Sequence, residues 1–327
     1  MAAFAASLWN DPGNVWVARA FYIWASVFNL FVISIAWSLL ADVFRPDQAH
    51  RLFGQMAAGA SAGGLTGPIL TTLLVEHVGH AGLLLISTGL LLATLACVAW
   101  LLRWPGRRTE GEREPAARPI GGGIWEGLTL ILRSPYLLAI GAFVVLLTSV
   151  TTFLYFAQAA IVEETFPDPV RQTQVFGILD IVVQSLTIGI QLFLTGRIVR
   201  RMGVTVLLAG VPLLMVLAVF ALAAAPVFAV LAGAMIARRV GEYAFVRPSR
   251  EMLFARVGEA ERYKAKNAID TVFYRGGDAL SAWVNAAILA VGSIPAVALV
   301  GAAVAAMWAG LGWAIGRHDD RAERVVA

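Results

Sequence analysis

YLLAIGAFVVLLTSVTTFLYFAQAAI, residues 136–161, contains no charged side chain. Coiled as an α-helix at 1.5 Å per residue, it is longer than the ~30 Å hydrocarbon core of a bilayer. Its polar residues follow a pattern. Thr148, Thr151 or Thr152, Tyr155 and Gln158 recur three or four apart, which keeps them on one helical face. The stretch therefore reads as a membrane span with one polar stripe, which either lines a water-filled cavity or hydrogen-bonds a neighbouring helix. Similar apolar runs recur outward from it, giving spans near 15–40, 53–75, 81–102, 136–161, 174–195, 204–224, 227–248, 266–291 and 294–315. The sequence thus predicts an all-α membrane protein of about nine transmembrane helices. Composition agrees: the 327 residues are 59% hydrophobic and 14% charged, with ten Trp and seventeen Phe, and the mean hydropathy is +0.76. Soluble domains are excluded by these figures.

The basic residues are sorted by loop. Arg45, Arg51, Arg103, Arg107, Arg108, Arg113, Arg118, Arg133, Arg197, Arg200, Arg201, Arg247, Arg250, Arg256, Arg262, Lys264, Lys266, Arg317, Arg321 and Arg324 follow odd-numbered spans or the last one. EHVGHA (76–81), the Ala225-Pro226 bend and the Gly292-Ser293 bend hold no Lys or Arg, and VEETFPDPVRQ (162–172) holds only Arg171. By the positive-inside rule the first set is cytoplasmic, with the carboxyl terminus inside and the amino terminus outside. Topology also accounts for the pI near 9.6, so no nucleic-acid partner is expected. RWPGRRTEGEREPAARPIGGG (103–123) reads as a cytoplasmic linker, and WEGLTLILRSPY (125–136) as a short helix at the membrane surface. The expected organisation is a partial amino-terminal bundle at 1–103, a linker at 104–135, a six-helix bundle at 136–316 and a cytoplasmic tail at 317–327. MAAFAASLW has no basic n-region and reads as the end of an earlier span, so the natural start is expected upstream of Met1.

Enzymatic signatures are missing. There is no phosphate-cradling Gly-Lys-Ser/Thr loop and no His-Glu-x-x-His pair, and His50, His77, His80 and His318 read as loop residues. The lone Cys97 can form neither an intramolecular disulfide nor a Cys-based metal site. No catalytic residue, metal or cofactor is expected, and any transport would be secondary.

Chemistry is concentrated between Arg238 and Asp278, where fifteen charged residues stand, nine basic and six acidic. Part of this stretch runs into apolar sequence, where an ionised side chain is costly unless paired or wetted. Arg238 and Glu242 are four apart and Arg239 and Glu242 three apart, so a structural ion pair and an anion site both fit. Lys264 and Lys266 either snorkel to headgroups or meet an anion. Asp270 and Asp278 are two turns apart with Asn267, Thr271 and Tyr274 on the same face; they either take a coupling proton or pair with Arg275. A second stripe, Asp180, Gln184, Thr187 and Gln191, holds one face of the fifth span, and Arg19, Tyr22, Ser26 and Asn29 line up in the first.

GASAGGLTGPILTTLL (59–74) resembles the fifth-helix Gly-Pro motif of major facilitator antiporters through Gly63, Gly67 and Pro68, with Gly59 and Gly64 beside them. GRIVRRMG (196–203) resembles the short basic loop between the second and third helices of each facilitator bundle, though it lacks the acidic residue usual there. EYAFVRPSREMLFARVGEAERYKAKNAIDTVFYRGGD (242–278) is similar to the carboxyl-terminal segment of the ATP/ADP translocases of plastids and intracellular bacteria. Tyr243, Phe245, Pro248, Arg250-Glu251-Met252, Lys264, Lys266 and Ala268-Ile269-Asp270 carry this likeness, and FYIWASVFNLFVISIAWSLLADVFRPDQAHRLFG (21–54) extends it to related bacterial facilitators. The resemblance implies a major facilitator-type bundle matching helices 4–12 of a twelve-helix template in a bacterial inner membrane. It implies exchange of an anionic nucleotide or another organic anion, and Arg238, Arg239, Arg275, Lys264 and Lys266 would be the cations facing the phosphates. Two other readings stay open: the same fold moving a drug or other small organic solute, and a non-transporting interaction protein or truncated remnant.

Overall fold

Ser134 begins the helix that contains the decisive stretch. Its hydroxyl accepts the Leu137 N–H at 3.3 Å, and Pro135 occupies the first helical position, where its missing N–H is no loss. The computed structural model describes residues 1–11, 13–43, 46–103, 126–254, 257–291 and 294–326. Linker residues 104–125, Arg45, Arg256 and the Gly292-Ser293 bend lie outside the described residues. The helices in chain order are α1 (Ala2–Asn10), α2 (Val15–Val43), α3 (Pro46–Arg103), α4 (Glu126–Arg133), α5 (Pro135–Thr165), α6 (Pro169–Ile190), α7 (Gly196–Ala224), α8 (Phe228–Gly241), α9 (Arg247–Phe254), α10 (Glu259–Ala268), α11 (Tyr274–Val291) and α12 (Ile294–Val326). Single π-helical turns, Gln191–Thr195, Glu242–Val246 and Ile269–Phe273, join α6 to α7, α8 to α9 and α10 to α11. No strand occurs among the described residues.

Six helical stretches among them are long and apolar enough to cross a membrane: Val15–Ile33, Ala58–Arg103, Pro135–Thr165, Pro169–Ile198, Arg201–Ala224 and Leu299–Arg321. The expected count of nine differs from these six for two reasons. The segments expected at 53–75 and 81–102 both lie in α3, which changes course at Gly79, where φ is +65°. Only glycine enters that region without strain, and each side of the break still has about twenty residues, enough for one crossing. The segments expected at 227–248 and 266–291 are helical, but their charged and polar side chains keep them out of the apolar set.

The chain divides into two units. The first comprises residues 1–119 and 168–181. Phe4, Phe21, Trp24 and Phe28 stack between α1 and α2, with the Trp24 and Phe28 rings 4.5 Å apart and nearly parallel. The start of α6 meets α3 through His80 with Thr173 at 3.0 Å and through Gln174 Nε2, which donates to Glu76 at 3.2 Å. The bend expected at Gly63, Gly67 and Pro68 is placed differently. Helical dihedrals run through Pro68, a Cβ at Gly63 or Gly67 would meet nothing within 4 Å, and the close approach falls at Gly177, where a Cβ would collide with Thr72.

The second unit comprises residues 120–167 and 182–327. Ile140, Phe143, Val144, Leu147, Val150 and Leu154 bury one stripe of α5 in a core that includes Met215 of α7, Leu231 of α8 and Trp308 of α12. α7 and α12 touch most closely at two glycines. A Cβ at Gly312 would lie 2.5 Å from the Leu208 carbonyl oxygen, and one at Gly316 would lie 2.4 Å from Thr205 Cα. Here the spacing is Gly-x-x-x-Gly, which places both on one face and lets two helix backbones touch.

α12 continues as a helix to Val326, through the segment expected as a tail. This extension has a function in folding. α7 breaks at Gly203 (φ +76°), and Asp320 caps the restarted helix: its Oδ1 accepts Val204 N–H at 3.0 Å, and its Oδ2 accepts the Thr205 hydroxyl at 2.5 Å. The carboxylate that meets the helix after GRIVRRMG thus comes from α12, more than a hundred residues further along the chain. Loss of such a cap costs about 1–2 kcal/mol. Asp320→Ala is therefore expected to lower the unfolding midpoint of the purified protein by a few degrees, with Asp320→Asn retaining most of the stability. Equal midpoints for wild type and Asp320→Ala would refute the cap.

Candidate functional site

The three π-helical turns coincide with polar residues. A π turn disturbs the i→i−4 ladder and leaves carbonyls to be satisfied by other groups, which inside a bilayer must be protein or enclosed water. Two of the turns solve this jointly. Gln191 Nε2 donates to the Tyr243 carbonyl at 3.0 Å, and Thr195 Oγ1 donates to the Ala244 carbonyl at 2.9 Å. Side chains of the first π turn thereby hold the backbone of the second. Gln191, read from sequence as part of a polar stripe, has this partner in the second unit.

The turn at Glu242 has a further consequence. Glu242 and Arg247 are five residues apart, which an α-helix would place on different faces; a π turn, bonded i→i+5, brings them together. Arg238 Nη1 donates to Glu242 Oε2 at 3.0 Å, while Arg247 Nη2 and Nε donate to Glu242 Oε1 at 3.2 and 3.3 Å. Arg238 Nη1 also donates to Thr151 Oγ1 of α5 at 3.1 Å, and the Thr151 hydroxyl is oriented by its own donation to the Leu147 carbonyl. Arg238 is 7% and Glu242 4% exposed. The Arg238 Nε is buried with no hydrogen-bond partner, and the Arg247 guanidinium lies 4.5 Å from the Tyr243 ring centroid. Two guanidinium groups therefore share one carboxylate, and the triad carries one net positive charge.

On the neighbouring helix, Thr152 Oγ1 donates to Asp278 at 3.4 Å, and the Ser281 hydroxyl donates to Ser149 at 2.7 Å. Gly277 makes this approach of α11 to α5 feasible, because a Cβ there would collide with Thr148. The stripe on α5 is thus an interhelical hydrogen-bonding face at Thr151 and Thr152, with Tyr155 more than half exposed and Gln158 buried.

Further ion pairs lie closer to the α9–α10 turn. Arg250 meets Asp270 at 2.8 Å, Lys266 meets Glu251 at 2.6 Å, and Lys264 meets Glu126 of α4 at 2.8 Å. For Asp270 the sequence left open a coupling proton or a pair with Arg275; in the structure its ion pair is with Arg250 of α9. Arg275 and Asn267 are exposed, and Tyr274, Arg239 and Gln184 are half-buried. Asp180 lies in the first unit. Sequence reasoning missed Arg247 and Arg250, which it counted as loop cations, because the spacing that brings each to its carboxylate is not a multiple of the α-helical turn or crosses a loop.

Apolar helices of this length around a buried charged cluster define an integral membrane protein. Comparison with known proteins makes the class more particular. The chain is similar to ADP,ATP carrier protein 1 of Chlamydia muridarum (strain MoPn / Nigg), 24% identical over 321 residues, covering 86% of this chain and 60% of that protein. It is also similar to ADP,ATP carrier protein 1 of Chlamydia trachomatis serovar D, 23% identical over 324 residues, covering 86% and 61%. The chain spans about three fifths of the length of these curated relatives. No family profile matches it.

Proposed function

We propose that the chain is a secondary active transporter of the major facilitator type that exchanges organic anions, with nucleotides as the substrate class. The observation that carries this reading is the Arg238–Glu242–Arg247 triad with its one unbalanced positive charge. Arg238 and Glu242 balance each other as a buried pair; Arg247, about half exposed beside them, adds a cation that an anion arriving from water can meet, and the planar fork of Arg suits phosphate oxygens. The names of the relatives favour nucleotides over other anions. In this reading Arg238 and Arg247 grip the phosphates, Asp278 held by Thr152 is the coupling-proton candidate, and residues 136–316 form a six-helix bundle behind a linker at 104–135. The basic loops face the cytoplasm of a bacterial inner membrane.

Exchange in proteoliposomes tests it. Labelled ADP is expected to enter vesicles loaded with ATP faster than empty ones, and Arg247→Gln to reduce that uptake about 10- to 100-fold, the loss of one or two charge-assisted hydrogen bonds. Uptake competed by an uncharged drug and indifferent to ADP would shift the substrate class. No exchange with nucleotides, other organic anions or drugs would favour a non-transporting role.

A further inference from the structure

The same helix that carries the triad has an apolar groove on its other side. Ile236, Ala237, Val240 and Gly241 of α8 face a 390 Å³ cavity. At 100° per residue this set is centred on roughly the opposite face from Arg238 and Glu242. α7 supplies the second wall from Met202 to Leu214, and Leu186 and Ile198 close the side. No polar side chain lines the cavity. It opens on the surface of the second unit, where Leu186, Met202 and Leu214 are about half exposed. Val206 to Leu214 alone covers ~12 Å of helix, and with Met202 the groove runs about one leaflet deep.

Charge marks one end only. Arg197 and Arg201 adjoin Ile198 and Met202 in sequence, are exposed, and make no ion pair among the described residues. An apolar slot about one leaflet long, with two exposed arginines next in sequence to the residues at one end of it, matches a lipid with an acyl chain and a negative headgroup. We propose that this groove holds an acyl chain of an anionic phospholipid, with Arg197 and Arg201 binding its headgroup.

Gly210 provides a selective test. It lines the groove, and a Cβ there would meet nothing within 4 Å. Gly210→Leu therefore starts its side chain in open space and extends it into the slot. The full chain, purified and delipidated in a neutral detergent with no transported solute present, is titrated with phosphatidylglycerol or phosphatidylcholine of identical chains. Bound lipids are counted by native mass spectrometry. One phosphatidylglycerol should be retained in preference to phosphatidylcholine. Arg197→Gln and Arg201→Gln should each weaken that preference about fivefold, while Gly210→Leu should remove the bound lipid and leave the unfolding midpoint within a few degrees of wild type. Equal retention of both lipids would overturn the headgroup assignment. Full phosphatidylglycerol binding by Gly210→Leu, or a dimer that this substitution dissociates, would overturn the groove as a lipid site, the second result assigning it to another copy of the chain.

Discussion

Glu242→Gln is expected to destabilise the protein more than removal of either arginine, by about 3–5 kcal/mol, and to lower its unfolding midpoint by about 5–10 °C. The reason is the arithmetic of the triad. Glu242 accepts from Arg238 through one oxygen and from Arg247 through the other, so its neutralisation leaves two guanidinium groups facing each other, one of them almost fully buried. Arg238→Met removes one cation and leaves Glu242 still paired with Arg247. Its stability loss should be smaller, although Thr151 also loses a partner. Combining Glu242→Gln with Arg238→Met should recover much of the stability, because the stranded buried charge is gone. If the triad is the proposed anion site, exchange should not recover, since only one of its two cations remains. If the double variant regains both stability and exchange, the triad is only a structural neutralisation and the anion site has to be sought elsewhere. If Glu242→Gln is as stable as wild type, the two arginines are compensated by water, and the triad loses its claim to be a low-dielectric site.

The sequence made the helices legible because their signals are local. Uncharged length fixes α5 as a span, and the three- and four-residue spacing of Thr148, Thr151 and Thr152 marks the face that meets α8 and α11. The Arg238–Glu242 pair was legible for the same reason, being one α-helical turn apart. What escaped depends on departures from that turn or on distant sequence. Nothing in EYAFV announces a π turn, yet that turn brings Arg247 to Glu242. Arg250 and Asp270 are twenty residues apart with the α9–α10 turn between them, so helical spacing offered Asp270 only Arg275 or a coupling proton and not the partner it has. Asp320 as the cap of Val204 crosses most of the second unit. Gly312 and Gly316 are different: their four-residue spacing was visible in the sequence and identifies a close helix crossing, but it says nothing about which helix is crossed.

That crossing gives the second large effect. At Gly316 a Cβ would press on Thr205 Cα, and at Gly312 on the Leu208 carbonyl oxygen. Neither obstacle is the mobile end of a side chain, so even alanine forces α7 and α12 apart. Overpacking of this kind costs about 1–3 kcal/mol, opposed by the roughly 1 kcal/mol that Ala gains over Gly as a helix former. Gly310→Ala is the control, because it lies on the same helix with nothing within 4 Å of its Cβ; it should keep or raise stability. Gly316→Leu is expected to lower the unfolding midpoint well below that control, and Gly316→Ala by a smaller amount. The two helices are also tied by Asp320, one turn beyond Gly316, which caps α7 next to Thr205. Once α7 is pushed away the cap is already weakened, so Gly316→Leu with Asp320→Ala should cost less than the sum of the single changes. Unfolding measurements on the two singles and the double decide it. Strict additivity would mean that glycine packing and the carboxylate cap hold α7 independently, and a Gly316→Ala midpoint equal to that of Gly310→Ala would remove the close crossing altogether.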